Sequence, residues 1–333
     1  MNRLHTRSAL VAVALAAGLL APTTAQATAH GAPACTAVAL PAPAGTSSEV
    51  TGGDVTGRYL VGRVSYPDHT AGALWRDGQY TEIDASSIPN VQVDLHDVNR
   101  NGVVVGERMT DYSSFHTDAF TYRDGKFTFL PALNPGDTTD ALGINSRGDV
   151  VGTSVSDTRG GWAPVVWPAD KPGTVRGLPL PAGNTNGALA RGIDEDGAVV
   201  GVVSPYPPGT PYLWPAHGNP RALPVPAGSI GGETTAIQNG MVAGNVYDPA
   251  TNSTVMTLWN LRTGATTRHT SVHSGALSVN RNGTIGTAGA IVHADGRVSP
   301  LANGSLVTTI AATGEAAGTT QPFNGQATRW LGC

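Results

Sequence analysis

The sequence predicts an all-β fold: a seven-bladed β-propeller of four-stranded antiparallel blades, closed by the N-terminal strand. Three observations predict it. A glycine-anchored hydrophobic motif recurs seven times, each recurrence carries the same set of apolar segments, and the two chain ends supply complementary parts of one unit. Self-similarity at a fixed period means that one supersecondary unit is stacked many times.

The motif ends at Gly62, Gly106, Gly152, Gly201, Gly244, Gly286 and Gly318, as in Arg147-Gly148-Asp149-Val150-Val151-Gly152. Most anchors lie about 42–49 residues apart, the span of four short strands and their turns. The first strand of each unit, strand a, precedes the motif and ends in a turn, as in Ala141-Leu142-Gly143-Ile144-Asn145. The motif is strand b. Strand c follows a variable loop and ends in an aromatic in most units: Trp75, Tyr122, Trp167, Trp214, Trp259 and Trp330. Strand d follows a tight turn and often ends in Leu-Pro, as in Leu130-Pro131, Leu178-Pro179 and Leu223-Pro224. Alternating Val, Ile, Thr and aromatic residues between Gly, Asn and Asp turns are the strand signature. Trp repeated at one strand position reads as packing between blades.

The termini close the ring. The seventh unit stops after its strand c at Trp330-Leu331-Gly332-Cys333, and Val38-Ala39-Leu40-Pro41 matches the strand d pattern. The N-terminal strand therefore completes the last blade and removes its open edge. Cys35 and Cys333 then meet and are expected as a disulfide. The rival, a lipid anchor on Cys35, requires a lipobox that Ala32-Pro33-Ala34-Cys35 fits poorly.

Residues 1–27 are expected to be a secretory signal peptide: Arg3 and Arg7, the apolar run Ala9–Ala21, then Ala25-Gln26-Ala27 as the cleavage signal, with Ala27-Thr28-Ala29 as its close competitor. Residues 28–333 are a single propeller domain, secreted and extracellular, with no integral membrane segment and expected as a monomer. Gly 43, Pro 24 and only 13% charged residues suit many strands joined by turns. The formal net charge of -4 falls further when Arg3 and Arg7 leave with the leader, which argues against nucleic acid as a partner.

Gly143-Ile144-Asn145-Ser146-Arg147-Gly148-Asp149-Val150-Val151-Gly152 and Asp118-Ala119-Phe120-Thr121-Tyr122 resemble the units of the secreted HAF-type repeat family. The resemblance runs over the mature chain and thins in units one, six and seven. It implies an extracellular, propeller-like fold and no defined activity.

No Gly-x-Ser-x-Gly, His-Glu-x-x-His or phosphate-loop motif occurs, so no catalytic residue, cofactor or metal is expected. Asp97-Val98-Asn99-Arg100-Asn101-Gly102 opens like a calcium loop, but its twelfth position is Arg108, which favours a hairpin turn. His269, His273 and His293 lack fixed ligand spacing. The short a–b and c–d turns share one face, and the variable b–c and d–a connections share the other. The b–c loops carry Tyr66, Tyr112, Phe115, Trp162, Tyr206, Tyr247 and Phe323, a set suited to glycan or cell-envelope ligands. The sequence thus reads as a secreted non-enzymatic binding module. The alternative is a secreted propeller-type hydrolase or lyase using the channel acids Asp94, Asp97, Asp140, Asp194 and Glu233.

Overall fold

Every anchor motif becomes the second strand of a four-stranded antiparallel sheet, and seven such sheets form a ring. The computed structural model describes residues 35–83, 92–111, 113, 115–156, 161–205, 208–272, 274–322 and 324–333. The expected signal peptide, Tyr112, Tyr206, Phe323 and His273 lie outside the described residues. No helix among the described residues is long and apolar enough to cross a membrane.

The chain enters as β1 (Thr36–Ala39). Blade I is β2 (Ser47–Gly53), β3 (Tyr59–Ser65), β4 (Thr70–Arg76) and β5 (Gln79–Ile83). Blade II is β6 (Gln92–Val98), β7 (Val104–Asp111), β8 (His116–Arg123) and β9 (Lys126–Phe129). Blade III is β10 (Thr138–Ile144), β11 (Val150–Val155), β12 (Trp162–Trp167) and β13 (Arg176–Gly177). Blade IV is β14 (Ala188–Ile193), β15 (Val199–Val203), β16 (Thr210–Trp214) and β17 (Arg221–Ala222). Blade V is β18 (Ile230–Gln238), β19 (Met241–Asp248), β20 (Ser253–Asn260) and β21 (Thr266–His269). Blade VI is β22 (Ala276–Val279), β23 (Ile285–Thr287), β24 (Ala290–Val292) and β25 (Val298–Pro300). Blade VII is β26 (Leu306–Ile310), β27 (Ala316–Thr319) and β28 (Ala327–Leu331), with β1 as its outer strand.

The closure follows the sequence register. Thr36 pairs with Leu331 and Ala39 with Thr328, and Leu40 N donates to Ala327 O. Leu178 N to Pro164 O and Leu223 N to Pro211 O are the same bond in blades III and IV. Cys35 and Cys333 form the disulfide, with Cα atoms 4.6 Å apart.

Six of the seven anchor glycines share one physical cause, while Gly286 instead faces Ser278 and Val307. Strand a carries a β-bulge at the same place in all seven blades, between Val50/Gly52, Leu95/Asp97, Ala141/Gly143, Ala190/Gly192, Thr234/Ala236, Ala276/Ser278 and Val307/Thr309. A bulge turns the local backbone toward the neighbouring strand. The Cβ of any other residue at Gly152 would overlap Asp140 O, and the same holds at Gly62, Gly106, Gly201, Gly244 and Gly318 against their own strand a carbonyls.

The core lies between blades. Val105 and Ala119 of blade II pack against Ala141, Val165 and Trp167 of blade III. The five repeated tryptophans are all buried. Trp75, Trp167, Trp214 and Trp259 donate from Nε1 to the carbonyls of Pro41, Pro131, Pro179 and Pro224, at 2.7, 2.8, 2.7 and 2.8 Å. Each acceptor is the Leu-Pro proline ending strand d of the preceding blade, so the two motifs of the repeat are two halves of one inter-blade bond.

Candidate functional site: the channel and the loop face

The a–b turns form a hydrogen-bonded belt around one end of the channel. Asn99 Oδ1 accepts from the amides of Asn101 and Val103, while its Nδ2 donates to Asn145 O in the next blade. Asn145 and Asn280 repeat both roles. The calcium-like segment is part of this belt. Asp97 is turned inward, accepting from Val98 N and Ile144 N, and Asn101 donates to Ser146 O. Gly102, at φ +73°, makes the tight turn. The Asp97 carboxylate and Asn99 Oδ1 accept from protein amides, so the segment is a turn that links blades.

The seven bulged residues, Thr51, His96, Leu142, Arg191, Thr235, Leu277 and Thr308, all line a central cavity of about 210 Å³. Their hydroxyls are used internally: Thr51 donates to Leu95 O and Thr308 to Val50 O. His96 Nε2 lies 2.5 Å from Glu107 Oε2. Burial opposes the charge on His96, but Glu107, with Asp94 and Asp140 behind it, holds the imidazole above its ordinary value. Burial in turn pushes the Glu107 carboxyl above its ordinary value, against the imidazole that favours its charge.

The channel acids named from sequence are engaged. Asp94 accepts from Gln92, and Asp140 from the Thr117 hydroxyl at 2.7 Å. Asp194 takes the amides of Glu195, Asn239 and Gly240 at 2.8, 2.7 and 2.6 Å. Burial pushes the Asp97 carboxyl up to about 7, against the two amides that favour its charge. Among the described residues, no group of three His, Cys, Asp or Glu side chains could hold a metal ion. His293 Nε2 meets Ser299 Oγ at 2.9 Å, and His269 is buried on β21.

On the opposite face, two clefts open between adjacent blades. One, between blades III and IV, has a volume of about 210 Å³ and is lined by Trp162, Asn134, Asp137, Leu180, Asn184 and Gly187, among others. The second, between blades IV and V, has a volume of about 430 Å³. Tyr247, Pro205, Pro208, Ile230, Val202 and Val246 form its walls. Each cleft contains one aromatic singled out from the sequence.

Two placements differ from the sequence reading. Trp162 and Tyr247 were expected in loops, yet Trp162 opens β12 opposite Val155, and Tyr247 lies within β19 opposite Thr254 and Ile230. The b–c hairpins of blades III and V pair closer to their tips than turn residues suggest: Ser156 N bonds Gly161 O, and Asp248 pairs with Ser253.

Tyr66 stands apart from both clefts. Its ring stacks on His69, centroids 4.4 Å apart, and its hydroxyl donates to Glu82. Phe115 sits at a hairpin tip, 71% exposed at φ +54°, a strained conformation for an aromatic residue. The four described aromatics therefore occupy separate stations around the face. The clefts themselves were invisible in sequence, because their walls come from neighbouring blades.

No protein-family model matches the chain, and no curated protein matches it. Among solved structures, the chain is similar to the β-propeller domain of the trilobed protease from Pyrococcus furiosus, at 9% identity and TM-score 0.57, over 86% of this chain and 96% of that one. It is also similar to a structure from an analysis of two prolyl endopeptidases, at 9% identity and TM-score 0.58, over 86% of this chain and 46% of that one. The chain thus spans under half of that endopeptidase's length. A putative TolB from Agrobacterium tumefaciens aligns at 11% identity and TM-score 0.45, over 67% of this chain and 79% of that one. The likeness is one of fold. The Pyrococcus domain is described as having an open velcro topology, whereas β1 and the disulfide close the ring here.

Proposed function

We propose that this chain is a secreted, non-enzymatic binding module that presents its b–c and d–a face to extracellular glycans or a cell-envelope component. The observation that carries the reading is the pair of clefts on that face, each pairing a sequence-selected aromatic with walls from two blades. Aromatic rings beside polar groups in a concave site suit a ligand with an apolar face and a hydroxylated edge. The Cys35–Cys333 disulfide fits export to an oxidising compartment, and the HAF-type resemblance of the repeats points the same way.

The hydrolase or lyase alternative needs an acid–base pair in the channel. Each strand a acid considered for that role is hydrogen-bonded or ion-paired within the protein, and Asp97 with the His96–Glu107 pair are the perturbed channel groups that such a mechanism would have to use. A thermal-shift screen of the oxidised protein against glycans tests the proposal, with Trp162→Ala and Tyr247→Ala beside the parent. A native-state ligand raises apparent stability. A stabilising glycan whose effect is lost in either variant supports the module; a screen with no stabilising glycan contradicts it.

A further inference from the structure

The segment that closes the ring is joined to it by chain at one end and by the disulfide at the other. β1 pairs with β28, but the chain leaves it toward β2 of blade I. All four β1 side chains are exposed. Just beyond, Leu40 shares a buried cluster with Val50, Trp75 and Ala327, its amide donates to Ala327 O, and Pro41 O accepts from Trp75 Nε1. These partners belong to blades I and VII, so Cys35 to Pro41 is seated on parts of the ring made later in the chain.

The connection to blade I is a stiff arm with a single hinge. In Leu40-Pro41-Ala42-Pro43 each proline fixes its own φ and holds the residue before it extended. The reversal toward β2 falls on Ala44-Gly45-Thr46, with Gly45 at φ +80° and Thr46 Oγ1 donating to Pro43 O at 2.7 Å. A Cβ at Gly45 would meet nothing within 4 Å, so this turn rests on the left-handed glycine backbone and not on packing. Blade III ends in the same turn, Pro181-Ala182-Gly183, with Gly183 at φ +77° and equally open space. There the strand before the turn, β13, is continuous in chain with β12 of its own blade and cannot leave it.

We infer that the outer edge of β28 is an exchange surface for a second copy of this chain while the two cysteines are reduced. The segment Cys35–Pro43 of one copy seats on β28 of the other, and each ring receives its partner's segment, giving a two-fold dimer. The ladder, the Leu40 contacts and the Trp75 bond are all reproduced between chains, so the change is confined to the hinge at Gly45. Oxidation then fixes whichever pairing exists. The two thiols give up two protons and two electrons to a disulfide oxidant and form one Cys35–Cys333 bond, within a chain in the closed monomer or between chains in the dimer.

The test mixes equal amounts of the Cys35→Ser and Cys333→Ser proteins at high concentration, oxidises them with glutathione disulfide and maps the links by mass spectrometry. Exchange predicts dimers linked Cys35 to Cys333 in clear excess over the Cys35–Cys35 and Cys333–Cys333 links combined. Chance collision gives no such excess, and that result overturns the inference. Size-exclusion chromatography of the reduced chain supplies an independent reading. Gly45→Ala strains the closed turn and not the opened one, so it should raise the dimer association constant about tenfold or more. Gly183→Ala strains the matching turn of blade III, where no strand can leave, and should keep the parent's value. Equal dimerisation of the two glycine variants, or a folded Gly45→Ala protein that stays as monomeric as the parent, also overturns the inference; if Gly45→Ala does not fold, the cysteine pair decides.

Discussion

The indole Nε1 of Trp75 donates to Pro41 O at 2.7 Å, joining strand c of blade I to the segment that completes blade VII. Pro41 closely follows β1, so this bond anchors the strand that closes the ring on β28, whereas its equivalents at Trp167, Trp214 and Trp259 anchor outer strands already continuous with their own blades. Trp75→Phe and Trp214→Phe should each cost about 1–3 kcal/mol in urea unfolding, from the lost hydrogen bond and packing. Only Trp75→Phe should also speed amide exchange at Leu40, whose N–H holds the seam strand to Ala327. Equal exchange in both variants would show that the seam bond has no special role.

The side chains of β1 are all exposed, so this strand is held by its ladder to β28, by Leu40 and by the disulfide. The bridge spans 298 residues. In the chain-entropy account a loop that long is worth on the order of 5 kcal/mol. Reduction, or Cys35→Ser, should lower the melting temperature markedly and release β1 first, read as loss of amide protection at Thr36–Ala39. A reduced protein that melts with the oxidised one would contradict this closure.

Gly152→Ala should fail to fold or lose at least about 3 kcal/mol, because its Cβ overlaps backbone at the bulge, which no rotamer relieves. Gly177→Ala is the control: the added Cβ meets only Leu133, at 3.6 Å. Circular dichroism melts of the two variants should differ sharply, and similar melts would remove the bulge as the reason for the repeat glycine.

The Asp97 carboxyl is raised by burial to about 7. The native state therefore holds a proton that the unfolded state has released above about pH 4. Stability should fall as pH rises between these values, by up to about 1.4 kcal/mol per pH unit. Asp97→Asn keeps an acceptor for the Ile144 amide and removes the titration, so its stability should be flatter across that window. Parallel pH profiles for parent and variant would show that Asp97 does not titrate there.

Much of the fold was legible because each blade reads locally. Strand period, the Gly anchors and the Leu-Pro ends all lie within one unit, and the split seventh unit follows from matching Leu40-Pro41 to Leu178-Pro179. Even unit one, which lacks Asn-x-x-Gly, keeps its turn because Asp54 accepts the amides of Thr56 and Tyr59. What stayed hidden is what neighbouring blades do to one another. The repeated Asn reads as a turn former, and its second bond to the next blade appears only in three dimensions. The bulge is a register effect, visible only as a glycine whose reason lies on the facing strand. Loop membership alone picks out the aromatics, yet Trp162 and Tyr247 are strand residues lining inter-blade clefts, while Tyr66 is tied up with His69 and Glu82.

The most direct measurement is backbone amide NMR of the oxidised protein titrated with the glycan that gives the largest thermal shift. The account predicts perturbed amides at the loop-face ends of blades III, IV and V, around Trp162, Gly187, Gly209 and Tyr247. The Asn99–Asn145 belt and the bulged residues should remain unmoved. Perturbations centred on His96, Arg191 and the channel, with the loop face silent, would contradict it.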